Sequence, residues 1–207
     1  MVLQCMSDKR ILDRNYSYHL DSATSASWAY IDNLFSDAEC EQIIQQGLLL
    51  PRIASYVGDT RDIVNSIRRN HVVFFNSTQP ELAWVFDKMA NAVRGLNKQF
   101  WRYDLDFIET LQFTIYDQPG DFYTAHMDMS HGKQEQRKLS VVVQLADPSS
   151  YEGSNLELHS CGLEFYPTRR NRGSMIAFPS YMVHRVTELI GGTRYSLVGW
   201  VIGPPYK

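Results

Sequence analysis

The chain has 207 residues, 44% apolar and 21% charged, with a formal net charge of −3. That length fits one domain with a sizeable core, and the charge offers no field that would draw nucleic acid or an anionic membrane. No run approaches the ~18 apolar residues of a membrane span.

The N-terminal MVLQCMSDKR has no apolar stretch after a basic one, so no signal peptide is expected and a cytoplasmic location is. Cys5, Cys40 and Cys161 are odd in number and form no CxxC pair, which speaks against a disulfide framework or a zinc knuckle.

In chain order, Ser36-Asp-Ala-Glu39 is a capping box, followed at helical spacing by Cys40, Ile43, Ile44 and Leu48. Arg52 to Ser66 carries no strand pattern and reads as a loop over the mouth of a barrel. RRNHVVFF reads as a strand, with His71 a structural histidine at its start. Thr78-Gln-Pro-Glu81 repeats the capping device. Leu82, Val85, Phe86, Met89, Val93 and Leu96 then form one apolar stripe.

From about residue 107 the pattern becomes short β-branched and aromatic runs: FIETLQFTIYD, KLSVVVQLAD, LELHS, LEFYP, GSMIAFPS, HRVTEL and RYSLVGWVIG. Turn signals at Gln118-Pro-Gly120, Glu152-Gly-Ser154 and Gly191-Gly192 separate them. This is an α+β, mainly β pattern. It predicts a double-stranded β-helix (jelly-roll, cupin-like) core under an N-terminal layer of helices. Residues 1–207 are read as one domain, 1–104 as support layer and entry strands and 105–203 as the core.

Within YTAHMDMSH, an extended backbone would put His126 and Asp128 on one strand face, able to chelate one cation. His184 opens a later strand that antiparallel packing can bring beside them. Two histidines and one carboxylate on one octahedral face suit a non-haem Fe(II) centre. The pair alone is a weak signal, because a strand histidine is more often satisfied by a carboxylate or carbonyl. Arg194 strengthens it. Alternation aligns Arg194, Ser196, Val198 and Trp200, and an arginine inside a barrel must meet an anion. A core Asp or Glu partner for Arg194 is the bland alternative. His131 reads as a solvated loop histidine, and His159 with Cys161 as structural.

The array His126-x-Asp128, His184, Arg194-x-Ser196 resembles the 2-oxoglutarate- and Fe(II)-dependent dioxygenases, in particular the prolyl 4-hydroxylase-like branch with its PKHD-type hydroxylases. The stretches LQFTIYDQPGDFYTAHMD, RKLSVVVQLADPSSYEGSNLEL, GSMIAFPSYMVHRVTELIGGTRYSLVGWV and FSDAECEQII are similar to that branch, over about residues 28 to 203. The resemblance implies that His126, Asp128 and His184 hold Fe(II), that Arg194 and Ser196 bind the distal carboxylate of 2-oxoglutarate, and that Tyr116 lines the co-substrate site. Some relatives carry a helping tyrosine on the strand after HxD; here Gln144 would replace it. Gly153-Ser154-Asn155-Leu156 stands where the family often has Gly-Gly-Glu-Leu.

The implied chemistry is hydroxylation of an unactivated C–H with release of succinate and CO2, with O2 as co-substrate and ascorbate as a reductant. A peptidyl side chain is the implied substrate, proline by default, with a free amino acid or other small molecule still open; Trp200 and Tyr123 are candidate pocket walls. The nucleic-acid demethylases of the superfamily carry a second arginine six positions after the first. Position 200 is tryptophan, so no nucleic-acid partner is expected. The residues leave open a cupin-like metalloenzyme without 2-oxoglutarate, a non-catalytic β-helix binding module, and the oligomeric state.

Overall fold

The structure is a computed structural model and describes residues 26–55, 66–130, 132–159 and 164–206. Among these the chain runs β1 (Ala29–Ile31), α1 (Asp37–Leu49), β2 (Ile53–Ala54), β3 (Arg68–Arg69), β4 (His71–Phe75), α2 (Ala83–Phe100), β5 (Phe107–Ile108), β6 (Leu111–Tyr116), β7 (Phe122–His126), β8 (Arg137–Gln144), β9 (Tyr151–Gly153), β10 (Leu156–His159), β11 (Phe165–Pro167), β12 (Met175–Pro179), β13 (His184–Val186), β14 (Leu189–Gly192) and β15 (Arg194–Ile202). No described helix is long and apolar enough to cross a membrane.

The strands form a jelly roll. A large sheet has the order β1-β12-β8-β15-β6-β4-β2, with β5 also on β15; a smaller one has the order β11-β10-β13-β7-β3. Period-two alternation gives each strand of the large sheet two faces. One face carries Phe75, Leu111, Phe113, Leu139, Val141, Val143, Leu197 and Val201, packed on Cys40, Ile43 and Ile44 of α1 and on Val85, Met89, Val93 and Leu96 of α2. The opposite face points at the small sheet, where Val142, Leu156, Leu158, Phe178 and Val186 form a second apolar cluster. Beside that cluster the two sheets enclose a cavity of about 1180 Å³. The helices therefore seal one side of the large sheet and leave the other free for chemistry.

The α1 capping box forms as its residues predict: Ser36 Oγ accepts from the Glu39 amide at 3.3 Å and Glu39 Oε2 from the Ser36 amide at 2.8 Å. Three expectations are corrected. Leu48 does not join the buried stripe of α1; it is 48% exposed, and Gly47 faces the core against the Phe113 ring. Thr78 does not cap α2. Asn76 Oδ1 takes the Thr78 amide, and a 3-10 turn over Pro80–Leu82, with no side-chain cap, leads into the helix. The turn signals at Glu152-Gly153 and Gly191-Gly192 fall in β9 and β14, which pair with each other. Gly153 and Gly192 have φ of 74° and 78°, so glycine here lets two backbones approach inside a ladder instead of ending one.

Candidate metal centre

β7 and β13 are antiparallel neighbours in the small sheet, and their register sets His126 directly opposite His184. β7 ends at His126, so Asp128 is not the strand-mate its spacing predicts. It sits in a bend where the amides of Asp128 and Met129 both donate to the Ser180 carbonyl at 3.0 Å. The bend turns the carboxylate inward all the same. His126 Nε2 lies 3.7 Å from Asp128 Oδ1, and His184 Nε2 lies 3.4 Å from Oδ2. Met127, between the two, is half exposed.

The second nitrogen of each imidazole is also fixed. His126 Nδ1 lies 2.7 Å from the Thr124 carbonyl and His184 Nδ1 3.0 Å from the Met182 carbonyl. A carbonyl only accepts, so each Nδ1 carries the proton and each Nε2 keeps its lone pair for the shared point. Ser140 Oγ donates to Asp128 Oδ2 at 2.6 Å and meets Ser180 Oγ at 3.0 Å, which holds the carboxylate in one rotamer.

Protonation follows from the packing. Burial, then the neighbouring His184, pushes His126 down to about 3 against the pull of Asp128. Burial works to raise Asp128, but His184, His126, the Ser140 hydroxyl and Arg137 outweigh it and hold the carboxyl below its usual value. The result is a neutral nitrogen donor beside a carboxylate. Among the described residues these three side chains form the one cluster suited to a metal, their ligand atoms within 4.8 Å of one another. Bonds of ~2.1 Å in an octahedral site set neighbouring donors about 3 Å apart. Small side-chain rotations close the difference, so the residues fit a divalent transition metal.

The same cavity takes in the inward face of the large sheet. Tyr116, Ser196 and Arg194 line it together with Gln112, Thr114, Val198 and Trp200. Register places Arg194 opposite Tyr116, and Ser196 opposite both Thr114 and Gln144. Arg194 is 1% exposed and has no acidic partner among the described residues. Its Nε and Nη2 both donate to Gln144 Oε1, at 3.2 and 3.0 Å. Gln144 thus grips the guanidinium and is not itself part of the cavity lining. A buried cation held by a neutral amide keeps its charge for a ligand.

Tyr123 stacks on His126, ring centroids 3.5 Å apart. Arg137 lies 4.0 Å over the Trp200 ring and makes a two-pronged ion pair with Glu109. His159 packs edge-on against Phe165 and is not part of the metal cluster. His131, Cys161 and most of Arg52 to Ser66 lie outside the described residues, and the described start of that segment is not the expected loop, because Ile53–Ala54 forms β2 against β4. Sequence reasoning missed Ser140, Ser180 and Arg68. Ser140 left a trace, a lone hydroxyl on the alternation of KLSVVVQ, whereas nothing in RRNHVVFF sets Arg68 apart from its neighbour Arg69.

Residues 111–202 match the model of the 2OG-Fe(II) oxygenase superfamily. A PKHD-type hydroxylase of Synechococcus sp. (strain CC9311) is 34% identical over 79 residues, 38% of this chain; the matched stretch spans 36% of that relative's length. One from Synechococcus elongatus is 26% identical over 177 residues, covering 83% of this chain and 67% of the relative. Among solved structures, the fold is similar to a Trichoplax adhaerens prolyl hydroxylase in complex with a hypoxia inducible factor peptide fragment (TM-score 0.73, 16% identity, 86% of this chain and 84% of that one). It is also similar to a Pseudomonas putida prolyl-4-hydroxylase (TM-score 0.65, 20% identity, 85% and 92%).

Proposed function

Residues 111–202 match the 2OG-Fe(II) oxygenase superfamily, and on that footing we propose that the chain is a dioxygenase hydroxylating an unactivated C–H of a prolyl or other amino-acid residue. The observation that carries this reading is one cavity holding two opposed Nε2 lone pairs, a carboxylate and, on the facing sheet, a buried arginine without an acid partner among the described residues.

His126, Asp128 and His184 would hold Fe(II). With 2-oxoglutarate and O2 the metal would supply the oxidant, so that one oxygen atom would enter the C–H bond as hydroxyl and the other would enter succinate as CO2 leaves. Every other contribution comes from the chain. The Thr124 and Met182 carbonyls set the imidazole tautomers, and Ser140 fixes the carboxylate. Arg194 receives the distal carboxylate of 2-oxoglutarate, with Gln144 setting the plane of its fork. Ser196 offers a hydroxyl beside it, and Tyr116 walls the same end of the cavity. Val142, Leu156, Val186 and Val198 keep that chamber apolar, which excludes water and strengthens the charge contacts inside it. The similar Trichoplax protein carries a peptide, and this supports a peptidyl substrate class.

The test is anaerobic addition of Fe(II) and 2-oxoglutarate, followed by succinate release in air with proline-containing peptides and free amino acids. A visible charge-transfer band and substrate-stimulated succinate are expected. Arg194→Ala should raise the 2-oxoglutarate requirement about 10- to 100-fold, the worth of hydrogen bonds to a charged group. Bound iron without the band would sink the proposal. An Arg194→Ala enzyme with undiminished turnover would point to a cupin-like metalloenzyme that does not use 2-oxoglutarate.

A further inference from the structure

Three buried arginines line the cavity, Arg194, Arg137 and Arg68, and the chemistry above leaves Arg68 unused. Arg68, 8% exposed, enters on β3 opposite Tyr123 of β7. Its Cζ stands 4.6 Å from the centre of the Tyr123 ring, and that ring lies on His126. One hydrogen bond engages it, from Nε to Asn70 Oδ1 at 3.1 Å. Among the described residues no carboxylate ion-pairs with it, and neither Nη atom has a hydrogen-bond partner.

The other cations nearby are already matched. Arg137 is paired with Glu109, and Arg69 with Asp121 and the Pro119 carbonyl. Arg68 also borders a side cavity of about 310 Å³, whose other charged residues, Arg69 and Asp121, are that pair. With the metal site and Arg194 assigned, charge can be counted across the chamber. A divalent cation and Arg194 oppose Asp128 and a dicarboxylate, and these balance. Among the described residues Arg68 remains as one uncompensated positive charge. A ring face and one neutral amide do not offset the desolvation of a buried guanidinium, so the site is built for one more anion.

We propose that Arg68 binds a carboxylate of the substrate, so that the enzyme acts on a free amino acid or on the C-terminal residue of a peptide, not on an internal residue. The inference rests on the dioxygenase reading and narrows its substrate class. One aromatic ring separates the guanidinium from a metal-ligand imidazole. The bound carboxylate and the carbon to be hydroxylated therefore lie within the length of a single residue. Tyr123 packs against the guanidinium of Arg68, and both residues line the chamber.

The experiment titrates each proteinogenic L-amino acid and its amide, and acetyl-glycyl-proline and its amide, into the anaerobic Fe(II)–2-oxoglutarate complex. The readout is perturbation of the charge-transfer band. A parallel calorimetric titration into the metal-free protein reads the same binding without iron. Acids are expected to bind and their amides not. Arg68→Met, which keeps the stem on Tyr123, should weaken acid binding about 10- to 100-fold, and Arg68→Lys should restore part of it. Binding by free amino acids alone identifies them as the substrate, whereas binding by the acetylated dipeptide acid identifies a peptide C terminus. Amides that bind as well as acids, an Arg68→Met protein indistinguishable from the parent, or a panel in which no acid binds would overturn the proposal. Failure of the band itself, with calorimetric acid binding intact and dependent on Arg68, would count against the dioxygenase reading alone.

Discussion

Small groups with no reactive role set the chemistry at the residue scale. Two backbone carbonyls decide which imidazole nitrogens face the metal, and one serine hydroxyl holds the carboxylate. Ser154 shows the opposite balance. It is fully buried with φ of 49°, in the left-handed region, and its Oγ has no partner. A non-glycine residue pays for that conformation, and a buried hydroxyl without a partner adds to the cost. Replacing it by glycine loses some stability through the freer unfolded chain, but the two native-state penalties are larger. Ser154→Gly should therefore stabilise the protein by about 0.5–1 kcal/mol, read as a rise in the chemical denaturation midpoint at unchanged slope. A fall in the midpoint would refute this account of the turn.

At the scale of elements, the helices act as a lid on the outer face of the large sheet. α1 packs through Cys40, Ile43, Ile44 and Gly47, and it approaches so closely that a Cβ on Gly47 would stand 2.5 Å from Phe113 Cδ1. Phe113 cannot step aside, because it stacks between Phe75 and Tyr195 at centroid distances of 5.8 and 5.6 Å. Alanine is the better helix former by about 1 kcal/mol, whereas overpacking costs about 1–3 kcal/mol. Gly47→Ala should be net destabilising, by up to about 2 kcal/mol in thermal unfolding. A stabilised variant would mean that α1 can shift outward.

For the whole molecule, the metal cluster is where the two sheets meet. His126 and His184 stand on the small sheet; Asp128 is tied through Ser140 to β8 of the large one. A bound cation therefore clamps both sheets, and it binds only the folded chain. At a hundredfold excess over its dissociation constant it should add about 2.7 kcal/mol, roughly 5–10 °C in a chain of this size. Anaerobic Fe(II) should raise the melting temperature by that amount, and a chelator should reverse it. His126→Ala should show no response. A metal-independent melting temperature in the parent protein would contradict the cluster.

Period and spacing were enough for much of this architecture. The alternation of β15 placed Arg194, Ser196, Val198 and Trp200 on one face without reference to any partner strand, because backbone pleating is local. The capping box at Ser36 and the stripe of α2 are local in the same sense. So is the His126-x-Asp128 spacing, although a bend and not a strand delivers the aspartate. What only tertiary structure decided depends on pairing across long separations. That includes the register setting His184 against His126, and the grip of Gln144 on Arg194. It includes the hydroxyls of Ser140 and Ser180 behind the carboxylate, the use of Gly153 and Gly192 in a ladder, and the choice of Gly47 over Leu48 as the buried contact. Arg68 is the sharpest case. In the sequence it is one of two adjacent arginines, and only tertiary structure gives one of them an acid and leaves the other buried without one among the described residues.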